Sequence, residues 1–281
     1  MNKTNGFCIA LCASLLTLSA TTGQAAVNSP ERLKAFAKMQ DWSGIWELDG
    51  SPGTLEPQGM PATTAATNRA DPTAGIAPPA AGGRPVQRDN PPYNAQWEAK
   101  YQAVLNGDAE IRAARNTNRK YCAAGMPRIL ASPFMFEITV TPQKTWIYYT
   151  QREMRHIYTD GRKHPDEDDL WPTLWGDSVG RWEGNALLVD TVSIIPELYL
   201  DPSGATLSGD ARVMERWTML GPDSLQNEIT IEDPVAFQSG KQWKFTRKYK
   251  RVKDYNRMID DVCGENERQI MGEDGKLKTL L

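Results

Sequence analysis

The chain has 281 residues, a formal net charge of −3, and 24% charged and 40% hydrophobic residues. That balance suits a folded domain with a sizeable core and excludes a largely disordered chain. The slight acidity excludes a general nucleic-acid binder, because the one basic run, KFTRKYKRVK, alternates its lysines with apolar residues as a solvated strand face does.

The first residues read as a secretory leader: Lys3, an apolar run from Phe7 to Leu18, then Gly23 and Ala25 at the −3 and −1 positions of a cleavage site. Leu11 before Cys12 and Phe7 before Cys8 lack the small residue that lipid attachment needs. Cleavage after Ala25 removes Lys3 and leaves 31 basic against 35 acidic residues, a net charge of −4. No later segment is long and apolar enough to span a membrane, so the expected destination is periplasmic or secreted. Only Cys122 and Cys263 then remain, and in an oxidising compartment they are expected to form a disulfide, the alternative being two buried thiols. Neither a CxxC motif nor a Cys/His zinc pattern is present, and no metal or other cofactor is expected.

Residues 26–50 predict a short helix, capped by Ser29 with Pro30 as its first residue and ending near Gln40, and then a strand over Asp41–Gly50. Residues 51–92 are rich in Pro, Gly, Ala and Thr and almost free of large apolar side chains, which predicts a mobile linker or a loop draped over the fold. Tyr93, Trp97, Tyr101 and Leu105 mark one face of a helix that opens the main domain, residues 93–281. From Phe134 onward the pattern is β: FMFEITVT, TWIYYT, EMRHIYT, SVGRWEG, ALLVDTVS, ARVMERWTML, SLQNEITIE and QWKFTRKYKRV, many separated by turn residues. With the first strand these make eight or nine, enough for an antiparallel up-and-down meander to close into a barrel.

DWSGIWEL resembles the Gly-x-Trp opening strand of lipocalin-type calycins. YTDGRKHP, WGDSVGRWEGNALLVDT, IEDP and CGENER are similar to motifs of a group of secreted, poorly characterised bacterial proteins, over roughly Tyr93 to Arg268. The resemblance implies an exported, mainly β, lipocalin-like barrel and carries no established activity.

Residues i and i+2 of a strand share a face, so Glu215 accompanies Val213, Trp217 and Met219. By the same parity Asn227 joins Leu225 and Ile229, and Arg247 joins Trp243, Phe245 and Tyr249. Ionisable groups on apolar faces either pair structurally or line a cavity. If Met154 and Tyr158 also point inward, His156, Tyr158 and Arg152 enter the same space. A catalytic set of His156, Tyr158, Glu215 and Arg247 would then perform general acid–base chemistry as a lyase, isomerase or hydrolase. Arg152, Trp217, Asn227, Trp243, Phe245, Tyr249 and, in reserve, Asp190 would bind the substrate. The partner expected is a small hydrophobic or aromatic molecule, for which nine tryptophans and nine tyrosines offer stacking surface. The alternatives are a barrel that only binds such a ligand, and a scaffold filled by its own side chains.

The only two histidines flank Asp160-Gly161. A two-residue hairpin there places Ile157 opposite His164 and sends the two imidazoles to opposite sides. HPDEDD, His164–Asp169, reads as a solvated loop. WGDSVGR admits a serine-hydrolase reading with Ser178 as nucleophile, His164 as base and Asp177 or Asp190 as orienter, but it lies mid-chain among strands and no later histidine exists.

Overall fold

A computed structural model describes residues 30–50, 52, 54–56, 60–61, 87–105, 124–150, 153–201, 204–258, 269–271 and 277–279. Cys122, Cys263, the leader and Arg152 lie outside them, and with them the expectations placed on the disulfide, the cleavage site and Arg152.

Helix α1 (Pro30–Phe36) leads into strand β1 (Gly44–Leu48). Two short pairings follow, β2 (Met60–Pro61) with β3 (Gln87–Arg88), before helix α2 (Ala95–Leu105). Then come β4 (Phe136–Val140), β5 (Lys144–Tyr149), β6 (Glu153–Tyr158), β7 (Asp177–Glu183), β8 (Ala186–Val192), β9 (Arg212–Gly221), β10 (Ser224–Glu232) and β11 (Trp243–Arg251). A last small hairpin joins β12 (Gln269–Met271) to β13 (Leu277–Thr279). Strands β4 to β11 fall on the eight β segments read from the sequence.

Nine strands close one barrel in the order β1-β11-β10-β9-β8-β7-β6-β5-β4, with β1 completing the circle between β11 and β4. Alternation explains the closure: on β9, Val213, Glu215, Trp217 and Met219 are buried while Arg212, Arg216 and Leu220 are exposed, and β10 and β11 follow the same rule. Lys244, Lys248 and Lys250 are on the solvated face of β11, as their spacing implies.

One joint departs from the meander. Strands β6 and β7 run parallel, bridged at Tyr158 and Val179, so Asp160-Gly161 does not turn a hairpin. Residues 159–176 instead carry the chain back along the barrel, because adjacent parallel strands must begin at the same end. Gly180 permits the close approach there; a Cβ on it would lie 2.8 Å from Ile157 Cγ2.

The two mouths differ. One is closed by α2 and its neighbours: the Tyr93 hydroxyl donates to Thr206 O at 2.6 Å and accepts from Thr206 N at 2.8 Å, and Trp97 Nε1 donates to Thr206 O. Trp97 and Tyr101 are buried there, as the helical spacing predicts. Of residues 51–92, those described around Leu55 and Asp89 also belong to this plug. Leu55 is fully buried, and the backbone N–H groups of Leu55 and Glu56 donate to the buried Asp89 carboxylate. The other mouth gathers the approach to β1, the β4–β5 turn, the end of β6 and the β7–β8 turn. There Trp42 meets Trp182 edge-on, centroids 5.1 Å apart.

Candidate functional site

The barrel interior holds a polar network around Glu215. Its Oε2 accepts from Arg155 Nη2 at 2.5 Å. Its Oε1 accepts from Arg155 Nη1, Trp217 Nε1 at 3.0 Å and Asn227 Nδ2 at 2.9 Å. Arg155 Nη2 also donates to Ser178 Oγ and to Thr191 Oγ1. Burial opposes the Arg155 charge, but the Glu215 carboxylate outweighs it and holds the guanidinium above its usual range. Burial raises both neighbouring phenols, Tyr149 and Tyr249. Tyr249 stacks on Trp217 with centroids 5.2 Å apart and donates to Leu130 O.

Of the expected site residues, Glu215, Asn227, Arg247, Trp217, Trp243, Phe245 and Tyr249 are all buried on the inner face. His156 and Tyr158 are not with them. Met154, His156 and Tyr158 form the outer face of β6, and Arg155 and Ile157 the inner one. Their apolar character is used outside, where cross-strand pairing sets Trp146 beside His156, Tyr148 beside Met154 and Lys144 beside Tyr158. Glu215 therefore pairs with Arg155, which the inverted parity of β6 had hidden. Lys144 opposite Tyr158 is the signal that could have revealed this, since a lysine marks an outer face. Asp190 is also corrected: it points outward and bonds Arg212, with Nε at 2.7 Å and Nη2. Ser178 is buried on the inner face while His164 lies outside, so the two cannot form a nucleophile–base pair.

The motif segments meet elsewhere, on the outer wall. The connection between β6 and β7 crosses β7 and β8, where His164 is set between two carboxylates, Nδ1 at 2.5 Å from Asp177 Oδ1 and Nε2 at 3.4 Å from Asp190 Oδ2. Asp190 is partly buried, which raises its pKa, but Arg212 and His164 hold it below the usual carboxylate value. On the same connection Arg162 bonds Asp160 and lies over the Tyr158 ring, 4.1 Å from its centroid. HPDEDD is otherwise solvated; Asp166 to Asp169 are exposed.

Two cavities border this crossing. The larger, about 550 Å³, sits at the mouth opposite α2, between Phe36, Lys38 and Met39 on one side and Pro142, Trp182 and the Gly184-Asn185 turn on the other. The smaller, about 380 Å³, runs over β7 to β9 with Val179, Leu188 and Met214 beneath Arg162, Asp190 and Arg212. Gly161, Gly180 and Arg181 border both. Lining residues thus come from YTDGRKHP and from GRWEGNALLVD. Among the described residues no three His, Cys, Asp or Glu side chains are grouped to hold a metal ion.

Compared with known proteins, the chain matches no family model, no curated protein and no solved structure at a significant level.

Proposed function

We propose that this is an exported barrel that binds a small, largely apolar organic molecule in the cleft at the mouth opposite α2, and that the barrel interior is scaffold. The observation that carries the reading is the division between the two places. Inside, the carboxylate of Glu215 has its hydrogen-bonding capacity taken up by Arg155, Trp217 and Asn227. At the mouth, a cavity of about 550 Å³ has Phe36, Met39, Pro142 and Trp182 in its wall, and among the described residues its charge is at Lys38 and Arg181. That volume lies within the roughly 300–1,000 Å³ common for ligand sites. Charges confined to a rim suit binding, whereas acid–base catalysis needs ionisable groups converging on one reacting point. The expected set of His156, Tyr158, Glu215 and Arg247 is divided between the two faces of the wall and does not converge. Export rests on the leader-like composition of residues 1–25; N-terminal sequencing of the secreted protein is expected to begin at Ala26, and a chain that still begins at Met1 contradicts it.

Titration of the mature protein with the neutral fluorophore N-phenyl-1-naphthylamine tests the binding reading. Saturable binding at one site is expected, with Kd rising about tenfold or more, ~1.4 kcal/mol, when Phe36 and Met39 are both replaced by Ala. Absence of saturable binding, or a Kd unchanged in that variant, contradicts it.

A further inference from the structure

We infer that the ligand of this cleft is an amphipathic anion: an apolar body seated in the mouth cavity and an anionic head in the adjoining groove. The inference rests on the binding reading above and adds the chemistry of the head group.

The cleft is bipartite. Among the described residues, its apolar half at the mouth has no carboxylate in its lining, and Lys38 and Arg181 are its charged members. Lys38 is exposed and makes no ion pair with a described residue. Across Gly161, Gly180 and Arg181 lies the groove, which adds Arg162 and Arg212. Its two acids are both engaged, Asp190 by Arg212 and Glu215 by Arg155 on the inner side of the wall.

The three arginines share one geometry. Arg162 turns its Nε and Nη2 toward Asp160, Arg181 turns the same edge toward Glu183, and Arg212 turns it toward Asp190. A guanidinium carries five N–H donors in a planar fork. In each case the Nη1 edge remains, held in orientation by the pair on the other edge. Each ion pair is close to neutral as a unit, so the discrimination comes from these directed donors and from Lys38 rather than from a large net field. Donors without acceptors at the edge of an apolar cavity suit a carboxylate, sulfonate or phosphate attached to an apolar body. A neutral ligand of the same shape would leave them to water.

A matched pair of probes tests this. 8-Anilino-1-naphthalenesulfonate and N-phenyl-1-naphthylamine share their ring system and differ by the sulfonate. Titrated against the mature protein at low salt, the sulfonate is expected to bind about tenfold or more tighter, a gap that narrows as salt screens the partly exposed cations. Lys38→Gln and Arg181→Gln should each weaken the sulfonate more than the neutral probe, narrowing the gap between the two about threefold or more. Equal affinities for the two probes overturn the anionic head while the binding reading stands. A preference for the sulfonate that neither substitution alters also overturns it, since the head then lies elsewhere. Failure of both probes to bind overturns the inference together with the reading on which it rests.

Discussion

Glu215 is held by residues from three strands, Arg155 on β6, Trp217 on β9 and Asn227 on β10, so its charge fastens the barrel wall from inside. Removing one member leaves the other buried and uncompensated, a cost of about 3–5 kcal/mol. Arg155→Met is therefore expected to lower unfolding free energy in urea by that amount, with a smaller loss in Arg155→Met/Glu215→Met, where no orphan charge remains; a loss under 1 kcal/mol in the single variant, roughly the level of a surface pair, contradicts the structural role. Glu153 is a second test at this scale. Burial pushes its carboxyl from an ordinary 4.5 up to about 7. The folded chain thus holds this proton more tightly than the unfolded chain, and its stabilising contribution, complete below 4.5, is lost as pH rises to about 7. Glu153→Gln should match the wild type below that window and be relatively more stable above it; a constant difference across pH 4–8 would contradict the shift. The inward places of Glu215, Asn227 and Arg247 were legible because each shares its parity with large apolar side chains on long, regular strands: Trp217 for Glu215, Leu225 and Ile229 for Asn227, Trp243 and Phe245 for Arg247. That of Arg155 was not, because β6 carries Met154 and Tyr158 on its outer face, where they pack laterally against β5 rather than into the core.

The β segments were legible because period-two alternation and turn residues coincide, as at Gly184-Asn185 between β7 and β8. The parallel joint was not legible. Asp160-Gly161 has the composition of a hairpin turn, yet Arg162 bonds back to Asp160 and the chain leaves along the outside of the barrel. Side-chain bonds to the wall then decide where this crossing lies, and no local pattern encodes them. Between Thr159 and Thr173, His164 joins the crossing to β7 and β8 through Asp177 and Asp190. His164→Ala is expected to speed tryptic cleavage after Arg162 or Lys163 by about tenfold with the barrel remaining intact, since local opening governs proteolysis there. Unchanged cleavage would mean that the crossing is held by something else.

Across the whole molecule, one end of the barrel is plugged by α2, Leu55 and the Asp89 region, the interior is filled by aromatic and paired polar side chains, and the other end carries the cleft. Barrels of eight or nine strands are narrow enough for side chains to fill them, so an interior ligand has to displace part of this core. The composition signals of the sequence, many aromatics and charges on apolar faces, did not distinguish a lined cavity from a filled one, because both use the same residues with the same parity. The most direct test is a crystal structure of the mature protein with N-phenyl-1-naphthylamine. The probe is expected between Phe36, Met39 and Trp182, with Arg155 still bonded to Glu215 through Nη1 and Nη2. A probe found inside the barrel against Tyr149, Trp217 and Tyr249, with the Arg155–Glu215 pair opened to admit it, would contradict the account.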